Sequence, residues 1–284
     1  MKKLSVVIIT FNEEANIARC IDSVKDVADE VIVLDSMSSD KTIAIAREKK
    51  ARVFVGDFKG YIDQKNKALQ LASYDYVLSL DGDEAIDEQL AKSIQYAKKN
   101  FMFSAYSMNR CTNYCGQFIR FGTWYPDRKV RLFEKKIAKW GGLDPHDKVL
   151  LPDRTAIFHL KGNILHYSYE SVAAHNRQNE HFSTIAANSY RKAGKRTNPF
   201  KIVINPLWAF AHDYIIRAGF LNGKHGLVIA FKQAQYTYKK HIKLFRLQRK
   251  QGAPVVSIHE AKNNSNNMKS ETDAATPSAI IGAR

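Results

Sequence analysis

The sequence predicts an α/β fold: a mainly parallel sheet flanked by helices, followed by a helical amphipathic extension. Three observations predict it. Over the first hundred residues, short runs rich in Val and Ile alternate with stretches of helical period, the pattern of a parallel sheet covered on both faces. Asn12, Asp35 and Asp81 each close one of these runs, and ligands bind at the carboxyl ends of strands in such sheets. The third is a strongly basic segment, with an amphipathic repeat, near the C-terminal end.

Residues 4–10 read as a buried first strand. Asn12 is placed to cap a helix running to about Val24. Residues 31–34 form a second strand ending at Asp35, and Ser39 or Asp40 caps a helix over 42–49. Strand three covers 53–55, a helix 61–71, and strand four 76–80, ending at Asp81. Residues 87–99 make a further helix. Over 105–151 aromatics, Gly and Arg alternate, as in a mixed sheet with long loops. Residues 170–191 are helical, and Asn198-Pro199 and Asn205-Pro206 punctuate the start of the basic segment. Past Gln251 the composition turns to Asn, Ser, Ala and Lys, which predicts a disordered tail. The expected units are a catalytic domain over 1–190, a basic helical region over 191–250 and the tail over 251–284.

The formal net charge of +16 is unevenly spread. Residues 191–250 hold 14 Lys or Arg against one acid, Asp213, whereas the first 190 hold 27 bases and 24 acids. The basicity therefore belongs to one segment, and an anionic partner or surface explains it. Leu227, Phe231, Ala234, Tyr238, Ile242 and Phe245 recur there at intervals of three and four, with Lys232, Lys239, Lys243, Arg246 and Lys250 on another face. That pattern suits a helix lying on an anionic bilayer, or one packed on the protein with a solvated basic face. Nucleic acid is disfavoured, because the bases border an apolar face and no nucleic-acid module is recognisable.

Cys20, Cys111 and Cys115 cannot all pair, and no complementary pair completes a zinc site, so a reducing cytoplasm is the simpler setting. The run after Met1-Lys2-Lys3 stops at Asn12-Glu13-Glu14 without a small-residue cleavage site, so it is a strand and not a secretion signal. No stretch reaches the roughly 18–20 apolar residues that span a bilayer. The best, 202–220, is interrupted by Asn205, Pro206, His212, Asp213 and Arg217.

Asp81-Gly82-Asp83 is the central motif. Two carboxylates after a buried strand offer oxygen ligands to a hard cation such as Mg²⁺, which is commonly held by one or two carboxylates plus substrate phosphates. Gly82 lets the chain turn between them. Other acidic motifs fit worse. An EF-hand loop starting at Asp81 needs Gly where Ile86 stands, and an aspartyl-phosphate phosphatase wants Thr or Val at Ala85. Neither a G-x-G-x-x-G after strand one nor a P-loop is present. Asp35 is left free to accept from ribose hydroxyls or a base N–H.

Taken together, Ser5-Val-Val-Ile-Ile-Thr10-Phe11-Asn12-Glu13, Asp35-x-x-Ser38-x-Asp40 and Asp81-x-Asp83-Glu84 resemble the family 2 glycosyltransferases with the Rossmann-like GT-A fold. Nearly the whole chain before the tail is similar to the lipopolysaccharide inner-core β-glucosyltransferase group. Gln64-Lys65-Asn66, Tyr125-Pro126-Asp127, Arg131-Leu132-Phe133, Gly141-Gly142, His146-Asp147, His166-Tyr167-Ser168-Tyr169, Asn205-Pro206-Leu207-Trp208 and residues 219–223 carry that closer likeness. The group has His-Glu where this chain has His146-Asp147, and Asp144 stands close by.

The resemblance implies a nucleotide diphosphate donor, a UDP-sugar and glucose by the group, held by Thr10, Phe11, Asn12, Glu13, Asp35 and Ser38. Asp81, Gly82 and Asp83 sit at the diphosphate with a divalent cation, Mg²⁺ or Mn²⁺. The acceptor is a lipid-linked saccharide, the lipopolysaccharide inner core by the group or another cell-surface glycan, and the enzyme is peripheral on the cytoplasmic face of the bacterial inner membrane. Inverting transfer needs a carboxylate base standing apart from the metal pair, and Asp147 occupies the matched acidic position, with Asp144 as the alternative. His166 either approaches the metal or is a buried, hydrogen-bonded histidine. Lys65 and Asn66 face the donor phosphates or lie on a solvated helix face. Arg128, Lys129 and Arg131 offer cations to phosphate, Lys129 and Arg131 sharing a strand face by alternation. The rival class is a non-catalytic module that binds anionic lipid, and the intact Asp81/Asp83 pair favours the enzyme.

Overall fold

The computed structural model describes residues 2–143 and 146–252. Strand β1 (Leu4–Thr10) is buried at every position, as a central strand covered on both faces must be. Helix α1 (Ile17–Val24) turns Ile17, Cys20, Ile21 and Val24 inward. Then come β2 (Glu30–Asp35), α2 (Thr42–Glu48), β3 (Arg52–Val55), α3 (Tyr61–Leu71), β4 (Tyr76–Asp81), β5 (Glu84–Ile86) and α4 (Glu88–Lys98). The sheet order begins β3–β2–β1–β4, all parallel. From β1 the chain moves outward to β3, then returns on the other side at β4. Their loops diverge there, and the crevice between them is the switch point.

The second half of the sheet is mixed: β6 (Ala105–Tyr114), β7 (Gln117–Phe118), β8 (Asp127–Glu134) and β11 (Ile157–Tyr169), with β9 (Lys139–Leu143) and β10 (His146–Leu150) as a separate hairpin. β8 runs antiparallel to β4, so its first residues project past the end of β4 and wall the crevice. Two apolar clusters cover the two faces of the sheet. One gathers Leu4, Val6, Ile17, Leu90 and Ile94 under α1 and α4, and the other Val7, Ile9, Ala68, Phe133 and Trp140 under α3. Each fully buried Leu, Ile or Phe among them contributes roughly 1.5–3 kcal/mol.

The α/β architecture is as expected, with local corrections. Asn12 does not cap a helix. It sits at φ +53° and its Oδ1 accepts from Ser39 N at 2.9 Å, so α1 begins only at Ile17. Helix α2 starts after Lys41, because Asp40 folds onto Thr42 instead, accepting from Thr42 N at 2.9 Å and from its hydroxyl. By contrast Asp87 caps α4 through Leu90 N at 2.8 Å.

The C-terminal helices are α5 (Val172–Lys192), α6 (Pro199–Ala211), a π turn (His212–Ile216), a 3₁₀ turn (Gly219–Asn222) and α7 (Gly223–Gly252). α7 packs on both α5 and α6. Asp213 accepts from Thr123 N (2.5 Å) and Oγ1 (2.6 Å), and Asn222 bonds Arg120 N and Phe121 O, tying these helices to the loop before β8. A Cβ at Gly226 would meet Gly219 O at 1.9 Å, so only glycine lets α7 pass that turn. Asn198 caps α6 as the Asn-Pro pair suggests, but Pro206 lies inside the helix and does not end it. On the basic face of α7, Lys239 and Lys243 pair with Glu180 of α5 at 2.8 and 2.5 Å. The inward residues of α7 include Ile229, Ala230, Thr237, His241 and Leu244, while Leu227, Phe231 and Tyr238 are exposed. The expected tail falls outside the described residues, apart from the end of α7.

Candidate active site

Three loops meet at the switch point: the one after β1, the one after β2 and the acidic turn after β4. Asn12 N donates to Ser38 Oγ at 2.8 Å, and Ser38 donates through N and Oγ to Asp35 at 2.7 and 2.6 Å. Asp35 is fully buried and Ser36, not Asp35, lines the cleft. The carboxylate expected to be free therefore organises the loop, because Ser38 saturates its nearest lone pairs. Gly82 does not adopt a left-handed conformation. It is demanded by space, since a Cβ there would stand 2.8 Å from Thr10 Oγ1 and 3.2 Å from Glu13 Cγ. The β1 loop and the acidic turn are thus pressed together.

A cleft of about 480 Å³ opens above them, lined by Thr10, Phe11, Glu13, Asp81, Gly82, Asp83 and His166, with Phe58 and Tyr61 from the segment leading into α3. Phe11 is exposed at the rim. Asp83 Oδ2 stands 3.0 Å from His166 Nε2. Burial opposes a charge on His166, but the hydrogen bond it donates to Asp83 and the negative charge of Asp83 outweigh this and raise the imidazole pKa. Burial pushes Glu13 up to about 7, against the bond from Asn16, with Asp83 and Asp40 adding repulsion. Thr10 Oγ1 and His166 Nδ1 are buried without a hydrogen-bond partner among the described residues. Buried polar atoms are normally paired, and both residues line the cleft.

Behind the acidic turn lies a charged network. Lys65 Nζ, on α3, is 3.1 Å from Asp81 Oδ1 and 2.8 Å from Asp147 Oδ2 on β10, and its side chain is 3% exposed. Arg131 Nη2 adds contacts to Asp81 at 3.3 Å and Glu84 at 3.0 Å. Burial would raise the Asp81 pKa, but Lys65 and Arg131 hold it well below the usual carboxylate range. Arg131 does not share a face with Lys129 by simple alternation. The pairs Tyr106–Leu132 and Ser107–Val130 skip one residue on β8, and Arg131 is that extra residue. Lys129 instead pairs with Asp127 at 3.0 Å. Asn66 is turned away from the donor cleft: its amide exchanges bonds with Trp140 N and O at 2.9 and 3.0 Å, pinning β9 to α3. Asp144 falls outside the described residues.

Two further residues of the site carry no sequence signal strong enough to assign them a role. Glu84, fully buried, accepts from Asp81 N at 3.0 Å and pairs with Arg131, so it fixes both the turn and the cation. An acid following the Asp-x-Asp pair at a strand position is the one hint of it. Trp140 lies under both Lys65 and Arg131, 4.5 and 5.4 Å from its ring centroid. No sequence pattern links it to residues so distant.

Ligands of parallel α/β sheets bind at the switch point, and here it carries an acidic turn, a buried cation pair and an open cleft. Residues 5–149, just over half the chain, match the family model for glycosyl transferase family 2. The chain belongs to that family and is a glycosyltransferase. A Rickettsia typhi protein named as an uncharacterized glycosyltransferase is 34% identical over 239 residues, covering 80% of this chain and 82% of that one. The lipopolysaccharide core biosynthesis glycosyltransferase LpsC of Rhizobium meliloti is 24% identical over 251 residues, covering 84% and 93%. Among solved structures, S. aureus TarS 1–349 overlaps 84% of this chain and 91% of its own at a TM-score of 0.43 and 14% identity.

Proposed function

We propose that the enzyme transfers a hexosyl unit, glucose by the sequence resemblance, from a UDP-sugar to a lipid-linked saccharide with inversion at the anomeric carbon. One observation supports this reading: Lys65 joins Asp147 to Asp81, so a second carboxylate stands close to the acidic turn. Asp147 takes the proton of the acceptor hydroxyl as its oxygen attacks the anomeric carbon and the bond to the diphosphate breaks on the opposite face. Thr10, Glu13 and the aromatic pair Phe58–Tyr61, in edge contact at 5.1 Å, hold the nucleotide end, and Lys65 keeps Asp147 oriented.

Among the described residues no group of three or more His, Cys, Asp or Glu is arranged to hold a metal by itself. The set present still fits a Mg²⁺ or Mn²⁺ ion carried in with the diphosphate, because one or two carboxylates suffice when phosphates complete the shell. Asp83, which lines the cleft, would hold it together with Asp81, and His166 supports Asp83 at 3.0 Å. When bound, it supplies charge neutralisation for the departing diphosphate.

The acceptor reading draws on the name of the Rhizobium relative, lipopolysaccharide core biosynthesis, and on the surface of α6. Phe200, Val203, Ile204, Leu207 and Trp208 form an exposed stripe at helical spacing, continued by Ile215 and Ile216 in the π turn. Exposed Arg191, Lys192, Lys195, Arg196, Lys201 and Arg217 flank it in sequence. No described helix is long and apolar enough to cross a membrane, and an apolar stripe beside bases suits lying on an anionic bilayer. That role falls to α6 more than to α7, whose Lys239 and Lys243 are occupied by Glu180. The test is to incubate the full chain with a panel of UDP-, GDP- and dTDP-sugars and Mn²⁺, then read the anomeric configuration of any product by NMR. A UDP-sugar preference with inverted product is expected, and retained configuration overturns the mechanism.

A further inference from the structure

A second cleft, of about 580 Å³, adjoins the first, and Asp81 and Tyr61 line both. Asp147 belongs to this second cleft alone. Resting on the reading of Asp147 as the base, this is where an acceptor hydroxyl must lie. Its lining is strongly cationic: Lys65, Arg110, Arg128, Lys129, Arg131 and Lys148 against the carboxylates Asp81 and Asp147. Four of these cations are already matched. Lys65 and Arg131 pair with Asp81, Asp147 and Glu84, and Arg110 and Lys129 with Asp127, four cations against four carboxylates. Arg128 and Lys148 are exposed and make no ion pair among the described residues. The surplus positive charge thus stands at the mouth of the acceptor cleft.

A cleft for a neutral saccharide has no use for such a surplus, since hydroxyls are recognised as well by neutral donors and acceptors, and adjacent cations repel. A phosphate or carboxylate on the sugar offsets both, through charge-assisted bonds to a guanidinium fork and an ammonium. We infer that the acceptor is an anionic saccharide whose phosphate or carboxylate is recognised by Arg128 and Lys148 while its hydroxyl meets Asp147. These are specificity residues for the acceptor. The donor diphosphate belongs on the other side of Asp81, in the cleft that holds Asp83.

The test is calorimetric titration of the full chain, saturated with UDP and Mn²⁺, with glucose 6-phosphate, glucuronate and glucose. The same titrations are made on Arg128→Gln/Lys148→Gln, with its fold checked by circular dichroism. In the wild type the two charged sugars should bind at least about tenfold more tightly than glucose, worth about 1.4 kcal/mol. The variant should lose that preference while its UDP affinity stays within about twofold. Equal binding of charged and neutral sugars by a wild type that binds UDP overturns this inference and leaves the glycosyltransferase reading intact. Loss of UDP affinity in the variant overturns it too, by assigning the two cations to the donor phosphates. A wild-type preference for UDP-glucuronate over UDP-glucose that the variant abolishes would place the recognised charge on the donor. Absence of any UDP binding by the wild type removes the donor reading and this inference together.

Discussion

Lys65 Nζ lies 2.8 Å from Asp147 Oδ2 in an almost fully buried contact. The two residues come from a helix ahead of β4 and from a hairpin 82 positions later, so the contact fixes the hairpin over the site. Lys65→Met should leave Asp147 and Asp81 short of a partner. Breaking a buried pair costs about 3–5 kcal/mol, so we expect a stability loss near the lower figure, because Arg131 still faces Asp81, together with at least a hundredfold loss of turnover. Urea unfolding and donor hydrolysis measure the two. Unchanged stability would mean that the contact does not hold the hairpin.

Asp147→Asn keeps the size of the side chain and removes its proton-accepting charge. Turnover should fall by about 10²–10⁴, the span of general-base catalysis, with UDP affinity little changed. Should Asp144→Asn show that loss in its place, the base is Asp144.

His175 gives a pH dependence that is independent of catalysis. It is buried beside Tyr114, with Nδ1 3.1 Å from the phenol oxygen. Burial, and then the charge of Lys232, pulls its pKa down to about 4 from 6.5. The unfolded chain takes up this proton near pH 6.5 and the native one only near pH 4, so its contribution is complete above pH 6.5 and is lost as pH falls toward 4. Between pH 6.5 and 5 the wild-type Tm should drop more than that of His175→Gln. Parallel curves would show that the imidazole carries no such linkage.

For the membrane surface, Leu207→Glu/Trp208→Glu places charges on an exposed stripe where Trp208 is 61% accessible, so folding should be unaffected. The variant should float poorly with anionic liposomes, and high salt should release the wild type only in part, since the apolar contribution is not screened. Flotation equal to that of the wild type would remove α6 from the membrane contact.

The sequence made the parallel half of the fold legible because its strands are buried on both sides and its signals are local. The helix read over 87–99 is found as α4, capped by Asp87, and Asp81 and Asp83 stand out at a strand end. What escaped depends on distant partners. Lys65 reads as facing the donor phosphates or lying on a solvated helix face, and its partners Asp81, Asp147 and Trp140 appear only in the fold. Asp35 reads as a free carboxylate until Ser38 takes both oxygens. Arg131 leaves the alternation of its strand through a bulge, which no periodicity marks. On α7 the helical repeat was visible but not its orientation, because Glu180, which pairs with Lys239 and Lys243 at the surface, lies on another helix.

The role of the acidic turn is tested most directly by UDP release from a UDP-sugar, with Mn²⁺ and in EDTA, for the wild type and Asp83→Ala. Asp83 contacts His166 at the cleft and lies outside the buried network of Lys65, Arg131 and Glu84, so the variant should fold normally. We expect slow Mn²⁺-dependent release by the wild type, abolished by EDTA and reduced at least a hundredfold in Asp83→Ala. Full release by the variant in EDTA would contradict donor and metal binding at this turn.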